Sequence, residues 1–310
     1  MISKCIQAPG AVVMVRPHRF HPNPETASDN AFQRTDSDRT VRQMAEDGYR
    51  EVTEAARRLE KEGVRVHIFE DRGEKETPDS VFPNNWFSTH PGGHVAVYPM
   101  YSPSRRRERR SDILEMLKAE YRVQDIIDYS CLEYDGLFLE GTGAMVLDHI
   151  ARVAYTARSN RADPIALERF CTHFNFEPMA FDTADPGGRS IYHTNVMMSI
   201  ATDFAMVGFE IMSDRARREE IRARLREMGR DVIELDNEQI SEFAANSIEL
   251  SAGDKRILAI SSRGAASLHK EQKDIIEKSI KIVELSVPTI ELAGGSVRCM
   301  LAGIHLARRY

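Results

Sequence analysis

Apolar runs recur along the chain in pairs, and each pair is followed by a stretch with helical spacing and then by one further short run. Runs of about four to six apolar or alternating residues read as strands, whereas apolar positions three and four apart read as a helix with one buried face. The unit this predicts is strand, strand, helix, strand. One copy occupies 86–89, 94–98, a helix near 104–119 and 121–123; the next occupies 144–147, 152–155, a helix from Asp163 and 177–181. A third copy runs through 195–199, 204–208, a helix from Asp214 and 231–235, and a fourth through 247–250, 256–260, a helix from about His269 and 282–285. What is left over is 296–302 at one end of the chain, with 11–15, a helix over 38–62 and 64–69 at the other. These leftovers compose a fifth copy divided between the termini. Closing a ring in this way leaves no open sheet edge. The expected fold is an α/β propeller of five ββαβ modules with pseudo-fivefold symmetry. Asp38 and Asp214 stand where a side-chain oxygen would cap the free amides of a starting helix.

Composition adds limits. With 42% hydrophobic and 29% charged residues over 310 positions, and no linker rich in Pro, Gly and Ser, a single domain over 1–310 is expected. A net charge of −6 argues against nucleic acid as partner. The run 104–110, Ser-Arg-Arg-Arg-Glu-Arg-Arg, leads into Ile113, Leu114, Met116 and Leu117, so it reads as the solvated first turn of an amphipathic helix. No window approaches the roughly 18 apolar residues of a membrane span and the first ten residues lack a signal-peptide core, so a cytoplasmic protein is expected. Cys5, Cys131, Cys171 and Cys299 are scattered, which suggests free thiols rather than a zinc cluster or disulfide framework.

The reactive residues fall at matching places in the repeat. Glu140, His193, Asn246 and Cys299 follow one another at intervals of 53 residues, each at or beside a first strand. Asp79, Asn84 and Asn85 enter the first full module at a comparable place. Equivalent positions in a ring converge on its hub, so a nucleophile, a proton carrier and an orienting carboxylate would meet in one pocket. Asn195 follows His193 by two residues and would address the same ligand. Gly294 and Gly295 before Cys299 permit close backbone approach, and the adjacent Arg298 would favour thiolate. The polar, proline-bearing loop 21–33 reads more readily as plain surface than as a lid, although Phe20 and Phe32 at its edges are residues a lid would use.

The segments Asp-Ser-Val-Phe-Pro-Asn-Asn-Trp from Asp79, Leu-Glu-Gly-Thr-Gly from Leu139, Tyr-His-Thr-Asn from Tyr192 and Gly-Gly-Ser-Val-Arg-Cys-Met from Gly294 together resemble the guanidino-group-modifying enzymes. That superfamily includes arginine deiminases, dimethylarginine hydrolases and amidinotransferases, and the branch most similar is that of the citrulline-utilisation hydrolases. The resemblance implies a pentein fold and a site without metal or organic cofactor. Cys299 would be the nucleophile, His193 the general acid and base, and Glu140 the orienting carboxylate. It also implies that Asp79 binds the planar nitrogens of a small-molecule substrate, with Arg158 and Arg161 for the substrate α-carboxylate. Asn84, Asn85 and Asn195 stand where guanidino-binding relatives commonly carry Glu or Asp. A cation needs carboxylates around it, whereas a neutral ureido group is matched by amides. The expected reaction is hydrolysis of citrulline to ornithine, ammonia and carbon dioxide through a covalent thiol intermediate. The alternatives are an arginine or dimethylarginine hydrolase or an amidinotransferase with the same three residues, or a non-catalytic propeller that binds a macromolecule. Self-association is left open.

Overall fold

The computed structural model describes residues 7–34 and 36–309. Cys5 and most of the N-terminal segment considered above lie outside the described residues. Among the described residues fifteen strands form five three-stranded sheets. In chain order they are β1 (Ala11–Pro17), β2 (Arg65–Asp71), β3 (Phe87–His90), β4 (His94–Val97), β5 (Asp125–Asp128), β6 (Met145–Asp148), β7 (Val153–Ala157) and β8 (Glu177–Phe181). They continue with β9 (Met198–Ile200), β10 (Phe204–Val207), β11 (Asp231–Glu234), β12 (Ile248–Ala252), β13 (Lys255–Ser261), β14 (Lys281–Leu285) and β15 (Ala302–Gly303). Every sheet has one plan: a middle strand pairs antiparallel with a first strand and parallel with a third.

The divided copy is present. β15 pairs antiparallel with β1, which pairs parallel with β2, so the two ends of the chain share one sheet. A parallel pair needs a crossover, and each sheet has a helix between its middle and third strands: Val41–Glu62, Ser111–Glu120, Pro164–Phe174, Arg215–Glu227 and Lys270–Glu277. The middle strands lie between this helix layer and the neighbouring module, and residues 95–97, 153–157 and 204–207 are buried without interruption. Continuous apolar runs therefore mark them better than alternation does. In the longest helix Met44, Gly48, Val52, Ala55, Ala56 and Leu59 form the buried stripe, and several of these pack with Val12, Met14 and Phe20. Burying a side chain such as Val52 or Leu59 contributes about 1.5–3 kcal/mol each. Phe20 thus belongs to the core beneath this helix rather than to a lid.

Several local expectations are corrected. The long helix starts at Val41, capped by Thr40 in a reciprocal box with Gln43, and not at Asp38; Asp36 accepts from the Asp38 amide instead. Asp214 does cap its helix, accepting from Ala216 N. The helix placed near 104–119 is two pieces, Pro103–Arg106 and Ser111–Glu120, and the third strand of that module is 125–128 rather than 121–123. Tyr121 ends the second piece and bridges to Arg308 near the chain's end.

Candidate active site

Each reactive residue sits on the tight turn that leads into a first strand. Asn84 and Asn85 lie in the turn Pro83–Asn85, Glu140 precedes Gly141–Ala144, His193 precedes Thr194–Val196, and Cys299 lies within Val297–Met300. Two glycines explain why these turns can stack. Gly141 has φ +48°, and a Cβ there would come within 2.6 Å of Asn84 O; a Cβ on Gly143 would collide with Asn85 Oδ1 and approach His193 Nδ1 to 2.8 Å. The Glu-Gly-Thr-Gly sequence is needed for close approach between neighbouring modules.

Cys299, His193, Asp79, Asn85, Arg105, Arg161 and Tyr192 line one pocket, closed from above by Thr26 and Asn30. His193 Nε2 lies 2.8 Å from Glu140 Oε2, and Glu140, fully buried, also accepts from Tyr101 N at 3.0 Å. Arg105 and Arg161 stand 3.5 and 3.6 Å from the same carboxylate oxygen. Burial alone would push the Glu140 carboxyl up, but Arg161, the His193 hydrogen bond and Arg105 outweigh it and hold it well below the usual carboxylate range. Burial pushes His193 down to about 4 against the pull of Glu140, with the two arginines adding to the depression. At neutral pH the contact therefore joins a carboxylate to a neutral imidazole. An ionised carboxylate only accepts, so the imidazole proton resides on Nε2 and Nδ1 keeps the basic lone pair.

The hydrogen bonds to the sulfur come from two amides. Asn195 and Asn246 each donate from Nδ2 to Cys299 Sγ at 3.3 Å. Asn246 also accepts the amides of Ser296 and Arg298 at 3.2 and 3.1 Å, which fixes the turn that carries the thiol. The preceding turn is tied from below by Glu51, which accepts the amides of Thr289 and Ile290. Asp79 is buried, accepts from Asn23 Nδ2 at 2.8 Å and lies 3.8 Å from Arg105; burial pushes its carboxyl up, with Arg105 opposing. With its amide turned to satisfy its neighbours, Asn85 accepts from both terminal nitrogens of Arg105.

The structure brings together Glu140, His193, Cys299, Asp79, Asn85, Asn195, Asn246 and Arg161. It separates two others. Arg158 is half-exposed and paired with Asp182 at 3.1 Å, and does not reach the pocket. The chain reverses between Ser159 and Ala162, so Arg161 turns inward while Arg158 stays on the outside. Asn84 is buried beside the pocket, where its carbonyl accepts from Thr142 Oγ1, but it is not on the wall.

Three features escaped the sequence reading. Arg105, inside the run read as solvated, is buried and grips Glu108 through two nitrogens at 3.0 and 3.1 Å. Glu108, three residues on in a basic run, was the available signal. Loop 21–33 is a cover and not plain surface: Asn23 reaches Asp79, Asn30 donates to Ala293 O, and Phe32 packs on Tyr192 and Phe243. Its Asp29 meets Arg161 through Nε at 3.0 Å and Nη2 at 2.5 Å, with Asn160 donating to it as well. Tyr192, the residue before His193, donates to Gly294 O at 2.5 Å and so joins the histidine and cysteine turns.

Against known proteins, the family model described as N,N dimethylarginine dimethylhydrolase, eukaryotic, matches residues 16–306. A search of the curated proteins gave no match. Among solved structures, the substrate-bound N-terminal domain of ArgZ, an arginine dihydrolase from the ornithine-ammonia cycle in cyanobacteria, superposes with a TM-score of 0.73 at 16% identity, covering 96% of this chain and 98% of that one. Unliganded AgrE gives 0.71 at 16% identity over 97% of this chain, which spans 40% of AgrE. A dimethylarginine dimethylaminohydrolase adduct gives 0.63 at 14% identity over 96% of this chain and 98% of that one. The fold is that of the guanidino-modifying pentein superfamily.

Proposed function

The chain belongs to the family described as N,N dimethylarginine dimethylhydrolase, eukaryotic, and within it we propose that this protein is a hydrolase using Cys299 to cleave the C–N bonds of a ureido amino acid, with citrulline as substrate. In this reading the five sheets close into a propeller whose hub gathers the site. The observation that carries it is the Glu140–His193 contact of 2.8 Å in the pocket that also holds Cys299. In this scheme His193 takes the thiol proton, the sulfur attacks the ureido carbon, and the same imidazole returns the proton to the departing nitrogen. Water then attacks the thiocarbamoyl intermediate, and a second C–N cleavage releases the rest. One citrulline and one water give ornithine, ammonia and carbon dioxide. Arg161 receives the α-carboxylate, in place of Asp29, and Asp79 and Asn85 hold the head group.

Amides at the site support the ureido choice: Asn195 and Asn246 donate to Cys299 Sγ and Asn85 lies on the wall. The charged side chains on the wall are Asp79, Arg105 and Arg161, and each carboxylate nearby touches an arginine: Asp79 and Glu108 meet Arg105, Glu140 both arginines, and Asp29 Arg161. A ureido head group enters beside Arg105 and Arg161 without adding a third cation, whereas a guanidinium depends on Asp79 or the displaced Asp29 for its counter-charge. A second reading, hydrolysis of arginine or a methylated arginine by the same residues, is favoured by what the matched family and the solved structures act on. Incubating the purified protein with each compound and assaying ornithine separates the two. Turnover of arginine with none of citrulline overturns the ureido choice, and a fully active Cys299→Ala variant overturns the nucleophile.

A further inference from the structure

A second cavity lies between the first strands of all five sheets, with β3, β6, β9, β12 and β15 each contributing to its wall. The reaction described above makes no use of it. A purely structural hub would be apolar, yet this wall carries Ser199 and Ser247, whose hydroxyls meet each other at 3.3 Å, His149, and Arg298, the residue just before Cys299; the Ser88 hydroxyl on the same wall is taken by His90 and Tyr98.

Arg298 is unlike the other inward arginines. Arg105, Arg161 and Arg230 each hold a carboxylate. Among the described residues the Arg298 guanidinium has one hydrogen bond, Nη1 to Leu301 O at 3.0 Å, and no ion pair. Burial lowers its pKa to about 10, still far above neutrality, so it stays charged. Glu249 lines the same cavity but is occupied: one oxygen accepts from Arg256 at 2.6 Å, the other from the amide and hydroxyl of Thr202 at 2.8 Å. His149, buried, stacks on His305 with ring centroids 4.0 Å apart, and its Nδ1 has no partner. A part-buried cation with no ion pair among the described residues, beside hydroxyls and an unsatisfied ring nitrogen, favours negative charge at this wall.

We propose that this cavity is a binding site for a small inorganic anion, of the size of chloride or bicarbonate, held by Arg298 with the hydroxyls of Ser199 and Ser247 and His149 around it. An anion there cancels the positive potential that Arg298 exerts one residue from the nucleophile, and so damps the reactivity of the Cys299 sulfur. Bicarbonate is the form that carbon dioxide takes in water, so only the bicarbonate arm, as product feedback, rests on the ureido reading.

The test uses the whole protein without substrate. Chloride or bicarbonate replaces gluconate at constant ionic strength and pH while thermal unfolding is followed, and iodoacetamide labelling of Cys299 is timed by peptide mass. The expected result is a saturable rise in Tm and a several-fold slowing of labelling. Both effects are lost in Arg298→Gln and weakened in Arg298→Lys, which serves if the glutamine variant does not fold. A response to both anions, or to one of them, supports the site and identifies its occupant. Identical unfolding and labelling in every anion, or a response that persists without the Arg298 charge, overturns it. Failure to turn over citrulline leaves these readouts unchanged, so the two proposals fail separately.

Discussion

Glu140→Gln removes one charge and almost nothing of the shape. The wild-type carboxylate accepts from His193 and Tyr101 N, and balances Arg105 and Arg161 at 3.5 and 3.6 Å. A glutamine keeps the acceptor for Tyr101 but returns only partial charge to the two guanidinia. It also offers either an amide donor or a weak carbonyl to His193, so the tautomer is no longer dictated. Removing one member of a buried charge set costs about 3–5 kcal/mol. Arg105 retains Glu108 and Asp79, and Arg161 retains Asp29. The expected loss therefore lies near the lower bound, about 3 kcal/mol. In a chain of this size each kcal/mol moves Tm by roughly 2 °C, so calorimetry should register a fall of about 6 °C. Activity falls further, because proton transfer through a correctly oriented imidazole contributes about 10²–10⁴ in rate. Ornithine release is the assay. A variant within a factor of about three of wild-type kcat, unfolding at the wild-type temperature, would refute the claim that this carboxylate both orients His193 and balances the arginines.

Three further outcomes are expected. Below about pH 6.5 stability should decline as pH falls towards 4, because unfolded His193 takes up a proton at about its ordinary value whereas the folded ring resists until about 4; the depressed Glu140 carboxyl adds a second loss once its unfolded form begins to protonate. Measuring Tm against pH for wild type and His193→Asn checks this, since the variant should lose the upper part of that slope. Arg158→Ala should leave KM and kcat unchanged and cost no more than about 1 kcal/mol, because its pairing with Asp182 is at the surface; a large rise in KM would restore Arg158 to the site. Asp29→Asn should lower KM several-fold by freeing Arg161 for the substrate carboxylate, and an increase would instead assign Asp29 to the substrate ammonium.

Where the sequence reading failed, the cause was contact between segments distant in the chain. Arg105 and Arg158 both belong to polar stretches, and locally only Glu108, three residues after Arg105, distinguishes them. Arg105 is drawn inward by Asp79 and Glu140 from other segments, whereas Arg158 precedes the reversal that turns Arg161 in. Loop 21–33 has the composition of a surface loop. It becomes a cover through Asp29 on Arg161, 132 residues away, and Asn30 on Ala293. The wrong helix start at Asp38 is of another kind, since several polar residues compete to cap and the reciprocal Thr40–Gln43 pair prevails.

The order of strands and helices, the copy divided between the termini and the spacing of Glu140, His193, Asn246 and Cys299 were legible from one chain, because hydrophobic periodicity and repeat length are local or additive along it. Which charges are neutralised, which arginine turns inward, what covers the pocket and which inward arginine has no ion pair among the described residues were settled only in three dimensions. Burial and electrostatic balance depend on neighbours that sequence distance does not reveal.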